Sequence, residues 1–238
     1  MSDESFWGVG PEQPVVRYGE FSLTVVDAPF PGAAGRLPEH DAERAREFAG
    51  SFGTVDAVLE DLGAVSATDA VDLATRADLD VVRVGCWGGV TEILDPALAH
   101  CGDTFPVLEQ ARALRERFPA AAVVAAATLE HHTPHGAWVI AHPDGTSVFA
   151  AGWQGQGDWD LDGDVRAVVA AFGIPEDALD EEGIDLDDDP GSLDWDALAR
   201  LALEQVAPLD HEQRVMSAFR VRHTEDTTFD MEESWLEG

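Results

Sequence analysis

"AAAVVAAATLEHHTPHGAWVIAHPDGTSVFAAGW", residues 120–153, decides the fold. Three apolar runs, ending at Leu129, Ala141 and Trp153, are separated by two short polar breaks. The second break is Pro143-Asp144-Gly145, where a fixed proline φ and a permissive glycine suit a turn. Runs of this length, bounded by turn signals, predict a three-stranded antiparallel meander. The first break raises a rival reading, because His131, His132, His135 and His142 are four of the chain's eight histidines. His131 and His135 have helical spacing, but Pro134 and Gly136 oppose a helix there. Same-face ligands on a strand need a spacing of two, which none of the four supplies. His135 and His142 would lie roughly 23 Å apart in an extended segment, too far to share a zinc whose bonds are about 2 Å. Hairpin-end imidazoles are the expected reading, and a metal held by His131, His132 and His135 with ligands from elsewhere is the alternative.

Outward from the meander, "EFSLTVVD" (20–27) places Phe21, Leu23 and Val25 at the period of a half-buried strand. "DLDVVRVGCW" and "VTEIL", joined by Gly88-Gly89, predict a hairpin, and "SAFRVRH" (217–223) a further strand. "PVLEQARALRERF" (106–118) has Val107, Leu108, Ala111, Leu114 and Phe118 at helical spacing, with Pro106 at its first position. Asp41 predicts an N-cap for "AERAREFAGSFG", and Thr54 one for a helix over "TVDAVLEDLG" with Gly63 past its end. Beyond Trp153, "DVRAVVAAFG", "PEDALDEEG" and "LDWDALARLALEQV" predict helices. Grouped strands with helices between the groups predict an α+β fold with a mostly antiparallel sheet, helices on one face and a helical, acidic C-terminal portion. We expect one domain over residues 1–238, with 154–210 as a helical subdomain and 224–238 as an acidic tail.

Charge bounds the partners. Against 47 acids stand 14 bases, all arginine, for a formal net charge of −33. Such a field repels nucleic acid and anionic lipid and attracts cationic protein. GC-rich coding, a salty cytoplasm or selection against modification would each remove lysine. The first residues lack a basic n-region and an apolar h-region, and no stretch reaches about eighteen consecutive apolar residues. A cytoplasmic protein is expected, with Cys86 and Cys101 as reduced thiols.

Several segments invite a chemical reading. "DWDLDG" places Asp158, Asp160, Asp162 and Gly163 as the opening of a calcium loop. The ligand set then fails, because position 9 is Arg166 and position 12 is Val169. Helix capping by Asp162 or Asp164 is the plainer use of these acids. Residues 176–196 hold eleven acids and no base. Solvated surface is the ordinary role of such a run; the functional one is docking of a basic protein through Asp180, Glu181, Glu182, Asp185, Asp187, Asp188 and Asp189. Cys86, between a strand and two glycines, is the candidate nucleophile, although its Gly-Cys-x-Gly spacing is not a nucleophile elbow. Trp87, Trp138, Trp153 and Trp159 fall on or beside the expected sheet, where they pack a core or line a pocket. No Walker loop, HExxH or paired CxxC occurs, and no cofactor is expected.

"SFGTVDAVLEDL" (51–62), "ATRADLDVVRVGCWGGV" (74–90), "SAFRVRHTED" (217–226) and "MEESW" (231–235) resemble a family of uncharacterised, acidic, lysine-poor actinobacterial proteins of the domain-of-unknown-function kind. The resemblance implies a cytosolic protein from a GC-rich genome and brings no catalytic residues with it. Two functions are carried forward. The first is non-catalytic recognition of a basic protein through the acidic run; the second is a hydrolase or transferase using Cys86 or a metal near His131, His132 and His135.

Overall fold

The computed structural model describes residues 6–32, 36–69, 71–102, 104–130, 132–156, 159–207 and 214–237. Their strands are β1 (Gly19–Asp27), β2 (Val55–Ser66), β3 (Val81–Trp87), β4 (Val90–Leu94), β5 (Ala121–Leu129), β6 (His135–Ala141), β7 (Ser147–Trp153), β8 (Trp159–Gly163) and β9 (Val215–His223). The helices are α1 (Ala42–Gly50), α2 (Pro106–Arg117), α3 (Val165–Phe172), α4 (Glu176–Glu181), α5 (Trp195–Val206) and α6 (Glu225–Met231). One nine-stranded sheet runs β2-β9-β3-β4-β1-β5-β6-β7-β8, and its paired strands are antiparallel. The α+β class and the meander β5-β6-β7 are as expected. So is the β3-β4 hairpin, where Gly88 takes a φ of 60° that an L side chain rarely adopts. Asp41 caps α1 by accepting from the Arg44 N–H at 3.0 Å.

Three expectations are corrected. Helices cover both faces of the sheet, not one. The connection from β4 to β5 steps over β1 and carries α2, whose Val107, Ala111 and Leu114 join α1 and α6 residues over Leu23, Val123 and Phe219. The connection from β8 to β9 must cross nearly the whole sheet, and with that first face occupied, α3, α4 and α5 lie on the other. The central β5 is therefore buried on both sides, which is why its run is apolar without alternation.

Residues 55–63 are not a helix but most of β2, an edge strand paired with β9. Register shifts fall between Val55 and Ala57, Val58 and Glu60, and Asp61 and Gly63. Three residues of β2 thus span two of β9, and although Val55, Val58, Leu59 and Leu62 are spaced as on a helix face, Leu59 and Leu62 are exposed on this strand. The third correction is β8. Residues 159–163 pair along β7 as the opposite edge strand and do not form a loop. Asp164 beyond them caps α3, accepting from Arg166 N at 2.9 Å and Ala167 N at 3.2 Å. Acids on both edges, Asp56 and Glu60 on β2 and Asp160 and Asp162 on β8, oppose pairing with further strands.

The segment after β9 folds back. α6 and one π-helical turn, Glu232–Leu236, bury Met231, Trp235 and Leu236 in the core of the first face.

Candidate functional site

Face two of the sheet, the side that carries α5, opens at one end of the strands into a cleft of about 910 Å³. Its floor is a cross-strand row. Glu20 of β1 stands opposite Thr128 of β5, Thr128 opposite Gly136 of β6, Gly136 opposite Gly152 of β7, and Gly152 opposite Trp159 of β8. The two glycines are required by close approach. A Cβ on Gly136 would come within 1.9 Å of the Trp138 ring, and one on Gly152 within 2.6 Å of the Trp159 ring. With no side chain beneath them, the rings lie over the glycines, 6.0 Å apart and inclined by only 10°. They form a flat aromatic floor in which Trp138 is only 7% exposed and also stacks with Trp195 of α5 at 6.5 Å, so that half-buried Trp159 is the more open ring.

Asp196, in the first turn of α5, forms one wall. Its carboxylate accepts from Trp138 Nε1 at 2.7 Å, which fixes that ring. Solvent reaches Asp196 through the open side, yet the surrounding protein raises its carboxyl pKa; the Trp138 hydrogen bond opposes that shift and nearby Asp194 adds to it. The opposite wall carries Arg214, paired with Glu92 at 2.5 Å and stacked over the Trp87 ring at 5.0 Å. Six acids line the cleft, Glu20, Asp69, Asp72, Glu92, Glu130 and Asp196, against two arginines, Arg17 and Arg214.

The structure separates the residues expected to form a reactive centre. Cys86 is fully buried on face one, its Sγ 3.7 Å from Thr91 Oγ1. Burial pushes its thiol pKa up against the weaker pull of Thr91 and Arg44, the reverse of an activated nucleophile. A thiol reagent is expected to leave Cys86 untouched in the native protein, where only half-buried Cys101 can react, and to titrate both after denaturation. Rapid native labelling of Cys86 would contradict this placement.

His135 borders the cleft, but its side chain turns to the other face of the sheet, the face of Ala137 and Val139. Its ring packs on Trp153 at 4.9 Å and hydrogen-bonds the His100 carbonyl, with its pKa lowered mainly by burial. His132 is exposed in the β5–β6 connection, and His131 lies outside the described residues. Asp160 and Asp162 are exposed on β8, and Asp158 lies outside the described residues. Among the described residues no group of three or more His, Cys, Asp and Glu is placed to hold a metal ion.

A buried polar cluster that sequence reading missed joins β2, β4 and β9. Asp95, fully buried, accepts from Thr54 Oγ1 at 2.5 Å and Ala97 N at 2.9 Å, with His223 Nε2 3.8 Å away. No more than 2% of Thr54, Asp95 or His223 is exposed, so the cluster ties strand ends together out of reach of a substrate.

Of the 176–196 run, the acids from Glu176 to Asp189 form a ridge on face two, while Asp196 belongs to the cleft. Buried Leu179 and Ile184 anchor it, and Ile184 N donates to Leu179 O at 2.9 Å. Asp180, Glu181, Glu182, Asp185, Asp187, Asp188 and Asp189 are all exposed. Among the described residues the ion pairs of this ridge are Glu182 with Arg200 and Asp187 with Arg166.

Fold and site define an α+β protein on a nine-stranded antiparallel sheet with an acidic, aromatic-floored cleft. No helix among the described residues is long and apolar enough to cross a membrane. The chain belongs to a family of unknown function, DUF6333, whose model matches residues 6–238. No curated protein and no solved structure matches it.

Proposed function

We propose that this protein works in the cytoplasm by recognising a basic protein partner, without catalysis, and that the acidic ridge from Asp180 to Asp189 is the docking surface. The observation that carries this reading is the ridge's uncompensated charge on a fixed scaffold: seven exposed acids, two arginine partners among the described residues, and buried apolar anchors beneath. Carboxylates held in place lose less conformational freedom on docking than those of a loose tail. The same field disfavours nucleic acid and anionic lipid. The enzyme reading draws no support from Cys86, which is buried with a raised pKa, or from His135, which faces the other side of the sheet.

The test is binding of an arginine-rich peptide at low and high salt to wild type and to two variants of equal charge. One variant carries Asp185→Asn, Asp187→Asn, Asp188→Asn and Asp189→Asn; the other carries Glu12→Gln, Glu39→Gln, Glu47→Gln and Glu116→Gln, away from the ridge. The ridge variant is expected to weaken binding by roughly tenfold at low salt, the control far less, and the difference should shrink as salt screens the charges. Equal losses in both variants would remove the ridge from the reading.

A further inference from the structure

The cleft has a chemistry of its own, distinct from the ridge. A flat pair of indoles in a floor of glycines suits a planar or cationic group, because the ring faces carry negative electrostatic potential. The charges around it have the same preference. Arg214 is already engaged by Glu92 and Arg17 by the carbonyls of Glu233 and Ser234, so among the described residues the carboxylates of Asp196 and Glu20 face the cleft without an arginine partner. A planar cation with several N–H donors satisfies rings and carboxylates together, since a guanidinium stacks on an indole and gives its edge to a carboxylate. A compact ammonium would use the charge and waste the flat surface.

We propose that the cleft is a binding site for a guanidinium group, seated against the Trp159 side of the indole pair and hydrogen-bonded to Asp196. The identification of the group's source as an arginine side chain of the basic partner rests on the recognition reading above; the cleft's own chemistry does not. Asp196 fits this role in a further respect. Its surroundings raise its carboxyl pKa, although the Trp138 hydrogen bond opposes the shift, so the charged form gains from a cation beside it. A charge kept in such a place is accounted for by a ligand that meets it.

The experiment titrates N-acetyl-arginine amide, its uncharged isostere N-acetyl-citrulline amide, and spermidine into the full chain, following the Trp138 indole N–H signal by NMR. Wild type is expected to bind the arginine compound at least tenfold more tightly than the citrulline compound, and more tightly than spermidine. Asp196→Asn keeps an acceptor for Trp138 Nε1; it should fold and lose that preference. Gly136→Ala, which drives a Cβ toward the Trp138 ring, should also lose it, with folding checked by circular dichroism. The ridge variant should retain it. Equal binding of arginine and citrulline compounds, indifference to Asp196→Asn, or a loss in the ridge variant as large as that in Asp196→Asn would overturn the proposal. If the arginine-rich peptide binds through the ridge while Asp196→Asn changes nothing, the cleft assignment falls and the recognition reading stands. If the small guanidinium binds the cleft and no basic peptide binds, the reverse holds.

Discussion

Trp235→Ala is expected to lower the free energy of unfolding by about 3–5 kcal/mol, the range for emptying a buried tryptophan site. Trp235 is fully buried, meets Phe21 edge-on at 5.9 Å, and donates through Nε1 to the Pro96 carbonyl at 3.2 Å. Its ring fills the space beside Gly19, where an added Cβ would come within 2.7 Å of it. The backbone around it is also tied down, since Val16 N donates to the Trp235 carbonyl at 3.0 Å and Arg17 donates to the carbonyls of Glu233 and Ser234. Removing the indole opens a void between β1 and the end of the chain and leaves the Pro96 carbonyl without its donor. Trp235→Phe retains most of the volume and should cost less, about 1–2 kcal/mol. Denaturant unfolding of the two variants measures both values; a loss below 1 kcal/mol for alanine would mean that the closing segment is not held by this side chain.

The buried pair Arg214–Glu92 gives the second large effect. The side chains are only 6% and 10% exposed, so each charge depends on the other. Arg214→Met is expected to cost about 3–5 kcal/mol, because it strands the Glu92 carboxylate and removes the cation stacked on Trp87. Pairing it with Glu92→Met should recover much of that loss, since two apolar side chains bring no unpaired charge into the interior. A double variant as unstable as Arg214→Met would show that the loss came from packing and not from the orphaned carboxylate.

How much was legible follows from where each signal lies. The meander could be read because every cue was local: an apolar run, a proline-glycine turn, another run. Helix α2 could be read for the same reason, its apolar positions recurring within twelve residues. β2 could not, because its bulges break the alternation of period two that marks a strand, and its exposed Leu59 and Leu62 complete a helical spacing that the fold does not use. β8 was hidden by its acids, which protect an edge strand and also imitate an ion-binding loop. One cue to the fold was present and unread: a nine-residue strand apolar without alternation, Ala121–Leu129, requires cover on both sides. The cleft was hardly legible at all. Its floor depends on pairings between residues as distant as Glu20 and Trp159, which only the strand order brings together. The local traces were Trp138 and Trp159, read as core or pocket residues and found in its lining while Trp87 and Trp153 are not, and Gly136-Ala137-Trp138, a glycine two residues ahead of a tryptophan on one face of a strand.

The sheet order has a consequence for how the chain is assembled in time. β9 lies between β2 and β3, so β2 touches no other strand of the sheet. During synthesis, residues 55–66 therefore emerge with nothing to pair with until residue 223 has left the ribosome. The wait spans more than 150 residues, and throughout it a nascent hairpin core stands open on the side where its last neighbour belongs.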